Sequence, residues 1–334
     1  MSPKIEIIAE IAQGYEGSSF LANFLAKSAI NSGATAIKFQ MVFADEICIK
    51  KYEHYKLFKK LEMSLKDWSI ISNITSRNKI QLYFDIFGLK SLNFCEKISA
   101  SGIKIHPTDT LNYYVIKNVA KSKIKKIILG VGGHNLDQLD QTIKLLIKKD
   151  IIIMTGFQSY PTYLQSNNIK NLSILKNKYK NFKNIKFGFA DHEPISLNRS
   201  KMLSTLALGA GATVIEKHFT ISKNLKLEDS ESALEPKEFE DFSLSLKKIF
   251  KAYSENSKLD QYSLSQDEKN YLKKVQRNIV AKKLIRKGMT IKYSDIILKR
   301  TGEKNVLYNF NQCLGRICSK NIKKNLSIKK NHFL

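Results

Sequence analysis

No run of about 18 apolar residues occurs in this 334-residue chain, so no stretch of it is long and apolar enough to cross a bilayer as a helix. The N-terminus lacks the pattern of a secretory leader. M-S-P-K-I-E-I-I-A-E passes at once into a strand-like run carrying acids. There are only four cysteines, Cys48, Cys95, Cys313 and Cys318, and no two stand at metal-ligand or framework spacing. They read as reduced thiols of a cytoplasmic protein. Arginine is scarce: Arg77, Arg199, Arg277, Arg286, Arg300 and Arg316 are the only six among 56 basic residues. The formal net charge of +26 would suit a nucleic-acid binder. Yet there is no aromatic-interleaved basic motif, helix-turn-helix or zinc finger. The charge is read as a solvated lysine surface, and its useful content is an anionic substrate. Neither nucleic acid nor a membrane is an expected partner.

What is present is alternation. The stretch from Phe187 to Thr220 organises the rest. Two apolar runs, Lys186–Phe189 and Ala212–Ile215, each end in a polar cluster holding a histidine, His192 and His218. Between them Arg199–Gly209 has helical apolar spacing and a glycine stop. The same strand–helix grammar runs through the chain. Strands are expected at Ile5–Ile11, Ala34–Met41, Ile80–Phe87, Gly102–His106, Lys126–Val131 and Asp150–Thr155. Helices fall between them, a long loop spans Val42–Lys60, and a closing helix spans Glu238–Ala252. Eight β–α units across about 250 residues predict a (β/α)₈ barrel of the TIM type. A doubly wound open sheet is the alternative, since it needs no closure. Continuous apolar strands match burial on both faces.

After Tyr253 the composition turns polar. Residues 1–255 are therefore read as the barrel, 256–274 as a linker and 275–334 as a small β-rich module. So small a module buries little core alone.

Ligands of parallel α/β folds bind at the carboxyl ends of the strands. His192 and His218 sit at equivalent ends and are read as sharing one metal. Glu10 ends a strand where a buried carboxylate needs a purpose. Lys38 and Lys104 are charged residues inside apolar strands, which argues against plain solvated lysines. Asp109 is either functional or a helix N-cap, Tyr160-Pro161 either a contact or a rigid turn, and Arg300 either a contact or a surface charge. His54, His134 and His332 are read as surface residues.

At this point the chain resembles a known family. A-E-I (Ala9–Ile11), G-A-x-A-I-K-F-Q (Gly33–Gln40), I-K-I (Ile103–Ile105), Y-P-T (Tyr160–Thr162), D-H (Asp191–His192) and E-K-H-F-T (Glu216–Thr220) occur in the order found in N-acetylneuraminate (sialic acid) synthases. The C-terminal R-x-I-V-A-K-x-x-I-x-K-G…D-I-x-x-K-R-x-G is similar to that family's antifreeze-like (SAF) domain. The resemblance implies condensation of phosphoenolpyruvate with an amino-sugar aldose, N-acetylmannosamine or a relative. The products are a nine-carbon keto acid and phosphate. It implies a divalent cation, Mn²⁺ first with Mg²⁺ or Co²⁺ as alternatives, held by His192 and His218. It also implies a homodimer in which each SAF domain caps the partner barrel. By the same resemblance Glu10, Asp109 and Glu216 are catalytic. Lys38, Gln40, Lys104, Gln158, Tyr160, Asp229 and Arg300 contact substrates.

The chain departs from the family pattern in places. K-I-H-P-T-D stands where the family has K-I-x-S-G-E, so Pro107 replaces a serine and Asp109 a glutamate. Gly130 and Ala190 replace two further serines. Three lost hydroxyls are three lost hydrogen bonds to phosphate, each about 1.5–3 kcal/mol for a charged acceptor. Thr108, His106 and the amides around Gly132–Gly133 are candidate replacements. A synthase of a different keto-sugar acid, or a non-catalytic member that binds a sugar acid, remain alternatives.

Overall fold

Eight short apolar runs pair side by side in parallel until the last meets the first. The computed structural model describes residues 5–157, 159–194, 196–254 and 264–334. Its strands are β1 (Glu6–Ala12), β2 (Ala36–Gln40), β3 (Gln81–Ile86), β4 (Gly102–Ile105), β5 (Lys126–Gly130), β6 (Asp150–Thr155), β7 (Ile185–Asp191) and β8 (Val214–His218). They form one closed barrel in sequence order. Closure is made by β1 on β8, from Glu6 opposite Val214 to Glu10 opposite His218. It excludes the open doubly wound sheet.

Side chains of a strand alternate between two faces, and here both faces are buried. Ile8, Ala36, Tyr83, Ile128, Ile152 and Val214 point into the barrel and fill its lower half. Ile7, Ile37, Phe39, Leu82, Phe84 and Ile103 point outward into the layer beneath the helices. In that outer layer Trp68, on the helix Leu65–Arg77, meets the edges of Tyr15, Phe39 and Phe84 at 5.3, 5.5 and 5.0 Å between ring centroids.

Some boundaries differ from expectation. β7 runs on to Asp191 and β8 through His218, so Glu216–His218 lies inside its strand and His192 follows directly on the end of β7. The helix Leu197–Ala210 passes through Gly209 and stops at Gly211, whose φ of 111° is left-handed backbone that glycine adopts at no steric cost. The loop from Val42 to Lys60 contains the short helix Ala44–Ile47 and the start of another, Tyr55–Leu61.

The chain divides into two compact units, residues 1–255 and 256–334. The second has an apolar core of its own, including Ile279, Ile285, Ile291, Ile322 and Ile328. It is built around β9 (Asn278–Ala281) antiparallel to β10 (Ile296–Lys299). Part of the expected linker is helical, Gln266–Val275. Ser265 and Glu268 cap it reciprocally, at 3.0 Å and 2.6 Å. His332 is buried, contrary to its reading as a surface residue. All four cysteines are free. No described helix is long and apolar enough to cross a membrane.

Candidate active site

Above the apolar plug, the next inward positions carry charge. Glu10 on β1, Lys38 on β2, Asp85 on β3, Lys104 on β4 and Glu216 on β8 each lie two residues beyond a plug position, or beyond Gly102 in the case of β4. Strand register brings them level: Glu10 faces Lys38 and Asp85 faces Lys104. The Lys38 ammonium touches Glu10, lies 2.7 Å from Asp85 Oδ1 and 3.6 Å from Glu216 Oε1. Lys104 Nζ lies 2.6 Å from Glu216 Oε1. None of the five is more than 6% exposed. Charges so buried persist only when paired. Burial opposes the Glu216 carboxylate, but Lys104 and then Lys38 outweigh it and hold its pKa at about 2. Burial likewise opposes the Lys104 ammonium, and Glu216 with Asp85 raises it above the ordinary lysine range. Three carboxylates and two ammoniums leave this tier with one formal negative charge.

A third tier holds the histidines. The rings of His192 and His218 stand 5.3 Å apart between centroids, their planes inclined by 55°. Tyr160 meets both edge-on, at 5.8 and 5.5 Å. His192 Nδ1 lies 3.1 Å from the Gly156 carbonyl. A carbonyl only accepts, so Nδ1 carries the proton and Nε2 the lone pair. Neither ring nitrogen of His218 makes a hydrogen bond among the described residues. Both imidazoles are neutral at ordinary pH. Burial, followed by Lys104, brings His192 down to about 4. Burial, followed by His192 and Lys38, takes His218 well below its ordinary value. Two neutral, adjacent imidazoles, one of them oriented by a backbone carbonyl, are a donor pair of the kind a divalent cation uses. Among the described residues no third His, Cys, Asp or Glu joins them in a metal-holding group. A carboxylate oxygen, Glu216 Oε2, is buried nearby with no hydrogen-bond partner among the described residues.

These tiers floor one cavity of about 620 Å³ at the carboxyl ends of the strands. Glu10, Gln40, Lys104, Asp109, Tyr160, His192, Glu216, His218 and Asp229 all line it. Lys38 does not; it is fully buried beneath the floor. Gln40 is held by Gln13 at 2.7 Å. The Tyr160 hydroxyl donates to the Asp229 carbonyl at 2.6 Å. Burial, with Glu228 and Glu231, pushes the Asp229 carboxyl up to about 7. Asp109 stands at the rim and not in the charged tier, accepting from Asn112 at 2.9 Å and Thr108 at 3.1 Å. The N-cap of the helix Tyr113–Lys121 is Asn112, not Asp109. Gln158 lies outside the described residues. Arg300 follows β10 in the second unit and is exposed.

The three positions that lack hydroxyls, Pro107, Gly130 and Ala190, line the cavity too. Pro107 and Gly130 are a matched pair, for a Cβ on Gly130 would come within 2.6 Å of Pro107 Cδ. Gly132 and Gly133 do not line the cavity, so their amides are no replacement for the missing hydroxyls. His134, read as a surface residue, is half-buried with Nε2 2.7 Å from the Pro107 carbonyl. Sequence reasoning missed Asp85. The signal was available, since Asp85 is a charged residue inside an apolar strand, as Lys38 is. It also passed over Gln13, Glu46 and Glu228, which line the cavity from loops or short helices and carry no periodicity to read.

Comparison with known proteins gives the following. The NeuB family profile matches residues 25–258. The chain is 29% identical over 340 residues to the N,N'-diacetyllegionaminic acid synthase of Campylobacter jejuni, covering 96% of this chain and 97% of that protein. It is 25% identical over 348 residues to the pseudaminic acid synthase of the same organism, covering 99% and 97%. Among solved structures, the N-acetylneuraminic acid synthetase of Leptospira borgpetersenii in complex with citrate superposes with a TM-score of 0.72 at 24% identity. That superposition covers 81% of this chain and 91% of that one, a likeness of fold.

Proposed function

Because this chain belongs to the NeuB family, we propose that it is a synthase of sialic-acid-like nonulosonic acids. It condenses phosphoenolpyruvate with an N-acyl amino-sugar aldose and releases phosphate. The observation that carries this reading is the pairing, in one cavity, of two neutral imidazoles with the Lys104–Glu216 ion pair 2.6 Å long.

The bond-making step joins carbon three of phosphoenolpyruvate to the aldehyde carbon. Water adds to carbon two, phosphate departs, and the aldehyde oxygen takes a proton. Lys104, paired with Glu216, presents a fixed ammonium at the cavity floor that the anionic donor can contact. Lys38, fully buried, holds Glu10, Asp85 and Glu216 in place from beneath. Glu10 reaches the cavity with one carboxylate oxygen fixed by the Ala12 amide at 2.6 Å, which suits it to orient the water. Glu216 Oε2 is the unpartnered acceptor for a sugar hydroxyl. Asp229 and Tyr160 bound the same wall and receive the polyol chain. A divalent cation, Mn²⁺ for preference, would be held by His192 Nε2 and His218 and would polarise the aldehyde. We extend the proposal to a homodimer in which the C-terminal unit is an SAF domain whose Arg300 serves the partner's barrel.

A phosphate-release assay with phosphoenolpyruvate and a panel of N-acyl amino sugars, with and without Mn²⁺, tests the reading. Release should need both the cation and an aldose, and His218→Ala should abolish it. Turnover that survives chelation and that substitution together would overturn it. Pro107, Gly130 and Ala190 favour one second reading, a member whose acceptor or product lies outside this class; a panel widened to other aldoses decides between the two.

A further inference from the structure

At the end of β4 the chain turns through His106 into the 3₁₀ turn Pro107–Asp109. His106 lies two residues past Lys104 and so leans to the same inward side. It lines the cavity. Its ring stands edge-on to Phe157 at 5.2 Å and tilted against Phe87 at 6.4 Å.

The turn is clamped. The Pro107 ring occupies the space over Gly130 where a side chain would begin. The Pro107 carbonyl meets His134 Nε2 at 2.7 Å, and the Thr110 hydroxyl donates to the Gly130 carbonyl at 2.6 Å. The imidazole is therefore held in place before any ligand arrives, and a ligand that uses it bears little ordering cost.

Thr108 decides which nitrogen is which. Its amide can only donate, and it approaches His106 Nδ1 at 3.4 Å. Its hydroxyl is 2.9 Å from the same atom. The hydroxyl has a single proton, shared between Nδ1 and Asp109 Oδ2 at 3.1 Å, so it is the amide, which can only donate, that assigns the lone pair to Nδ1 and the proton to Nε2. Nε2 has no hydrogen-bond partner among the described residues. Burial is the main influence keeping the ring neutral, its pKa about 4, and Lys104 and Lys38 act in the same sense against Asp85. The ring thus presents one uncommitted, neutral N–H donor beside the Lys104 ammonium.

We infer that His106 is a substrate-binding residue whose Nε2–H donates to a phosphate oxygen of the substrate, in a cavity wall where Pro107 and Gly130 offer no hydroxyl. The inference rests on the reading of the cavity as a phosphoenolpyruvate site. The contact goes to phosphate and not to the carboxylate.

Calorimetric titration of the full-length protein tests it, with phosphoenolpyruvate, inorganic phosphate and pyruvate as separate probes. His106→Ala should weaken phosphoenolpyruvate and phosphate about tenfold or more, the loss expected for a hydrogen bond to a charged group. Pyruvate binding should be unchanged. His106→Gln, which keeps an N–H donor at similar reach, should stay within about threefold of the parent. In turnover the His106→Ala loss should appear mainly in KM for phosphoenolpyruvate. Unchanged phosphate binding in His106→Ala would overturn the inference alone. So would a pyruvate loss equal to the phosphate loss, or a glutamine variant as weak as the alanine one. A parent protein that binds no phosphoenolpyruvate would overturn the functional reading as well. Thermal melts of each variant separate lost contact from lost fold.

Discussion

Glu216→Gln probes the charged tier most directly. Glu216 is the ion-pair partner of Lys104 among the described residues, at 2.6 Å, and both are buried. The amide is isosteric but neutral, so Lys104 keeps its charge and loses its counterion. Removing one member of a buried pair costs about 3–5 kcal/mol, because the other is left uncompensated. The carboxyl's own displacement agrees. A fall from 4.5 to about 2 is worth about 3 kcal/mol at about 1.4 kcal/mol per pH unit. For a unit of this size, about 3 kcal/mol is about 6–12 °C in Tm. Adding Lys104→Met removes the stranded ammonium, so the double variant should be more stable than the sum of the two single losses implies.

The pH dependence has a definite sign. The folded-state pKa of Glu216 is depressed, so its stabilisation is fully present above about pH 4.5 and is lost as pH falls toward 2. The gap between parent and Glu216→Gln should therefore be flat from pH 8 to about 5 and narrow below about 4.5. Urea unfolding followed by the fluorescence of the single tryptophan, Trp68, reads this out, since Trp68 is buried in the barrel's outer layer. A gap under about 1 kcal/mol at pH 7, or one that does not narrow by pH 3.5, would show that desolvation cancels the pairing.

Gly130→Ala adds a methyl where Pro107 already sits; overpacking of about 1–3 kcal/mol should lower Tm in a thermal melt and, by moving the His106 turn, raise KM for phosphoenolpyruvate. Asp229 is held up to about 7, so the folded state binds the extra proton and stability falls as pH rises from about 4 to 7. Asp229→Asn should melt above the parent at pH 8 and alongside it at pH 4; asparagine also tolerates the left-handed φ of 62° there. Phosphoenolpyruvate should bind more tightly in calorimetry with Mn²⁺ present than after chelation, and equal affinity would refute a role for a cation on His192 and His218 in holding the anion.

The barrel was legible because its strands are short apolar runs and its helices keep helical spacing. The criterion failed where its own premise failed. β8 seemed to end at Ile215 because Glu216, Lys217 and His218 are polar, yet the strand continues. There the inward side chains satisfy one another, as Glu216 does with Lys104 and Lys38. A polar tail on an apolar strand signals a site inside the barrel, not the onset of a loop. Lys38 and Lys104 were found by that logic, and Asp85 obeys it equally. The helix Ala44–Ile47 was not legible, being a single turn without a side-chain cap. Gly209 was mistaken for a stop because composition does not reveal φ; the left-handed residue is Gly211. The Pro107–Gly130 pairing needed coordinates, since 23 positions separate two residues that share one space.

The order of the tiers explains how such a site can take an anion. The apolar plug of Ile8, Ile128, Ile152 and Val214 keeps water from below, so the charged tier faces solvent only through the cavity and its interactions are weakly screened. With Glu10, Asp85 and Glu216 against Lys38 and Lys104, that tier has a formal charge of −1. The imidazoles above it are neutral and add nothing. An incoming phosphate therefore meets Lys104 already paired with Glu216, in a tier whose own charges sum to no positive excess. The favourable route is to bring positive charge to the third tier, where His192 and His218 present lone pairs rather than protons. A cation there makes the floor attractive to an anion, and by linkage the anion tightens the cation to the same degree. The same depression that keeps both histidines unprotonated thus removes their charge as a way to hold phosphate and frees them as donors. On the proposed function, a divalent cation on these two donors would supply the positive charge that the tier itself lacks.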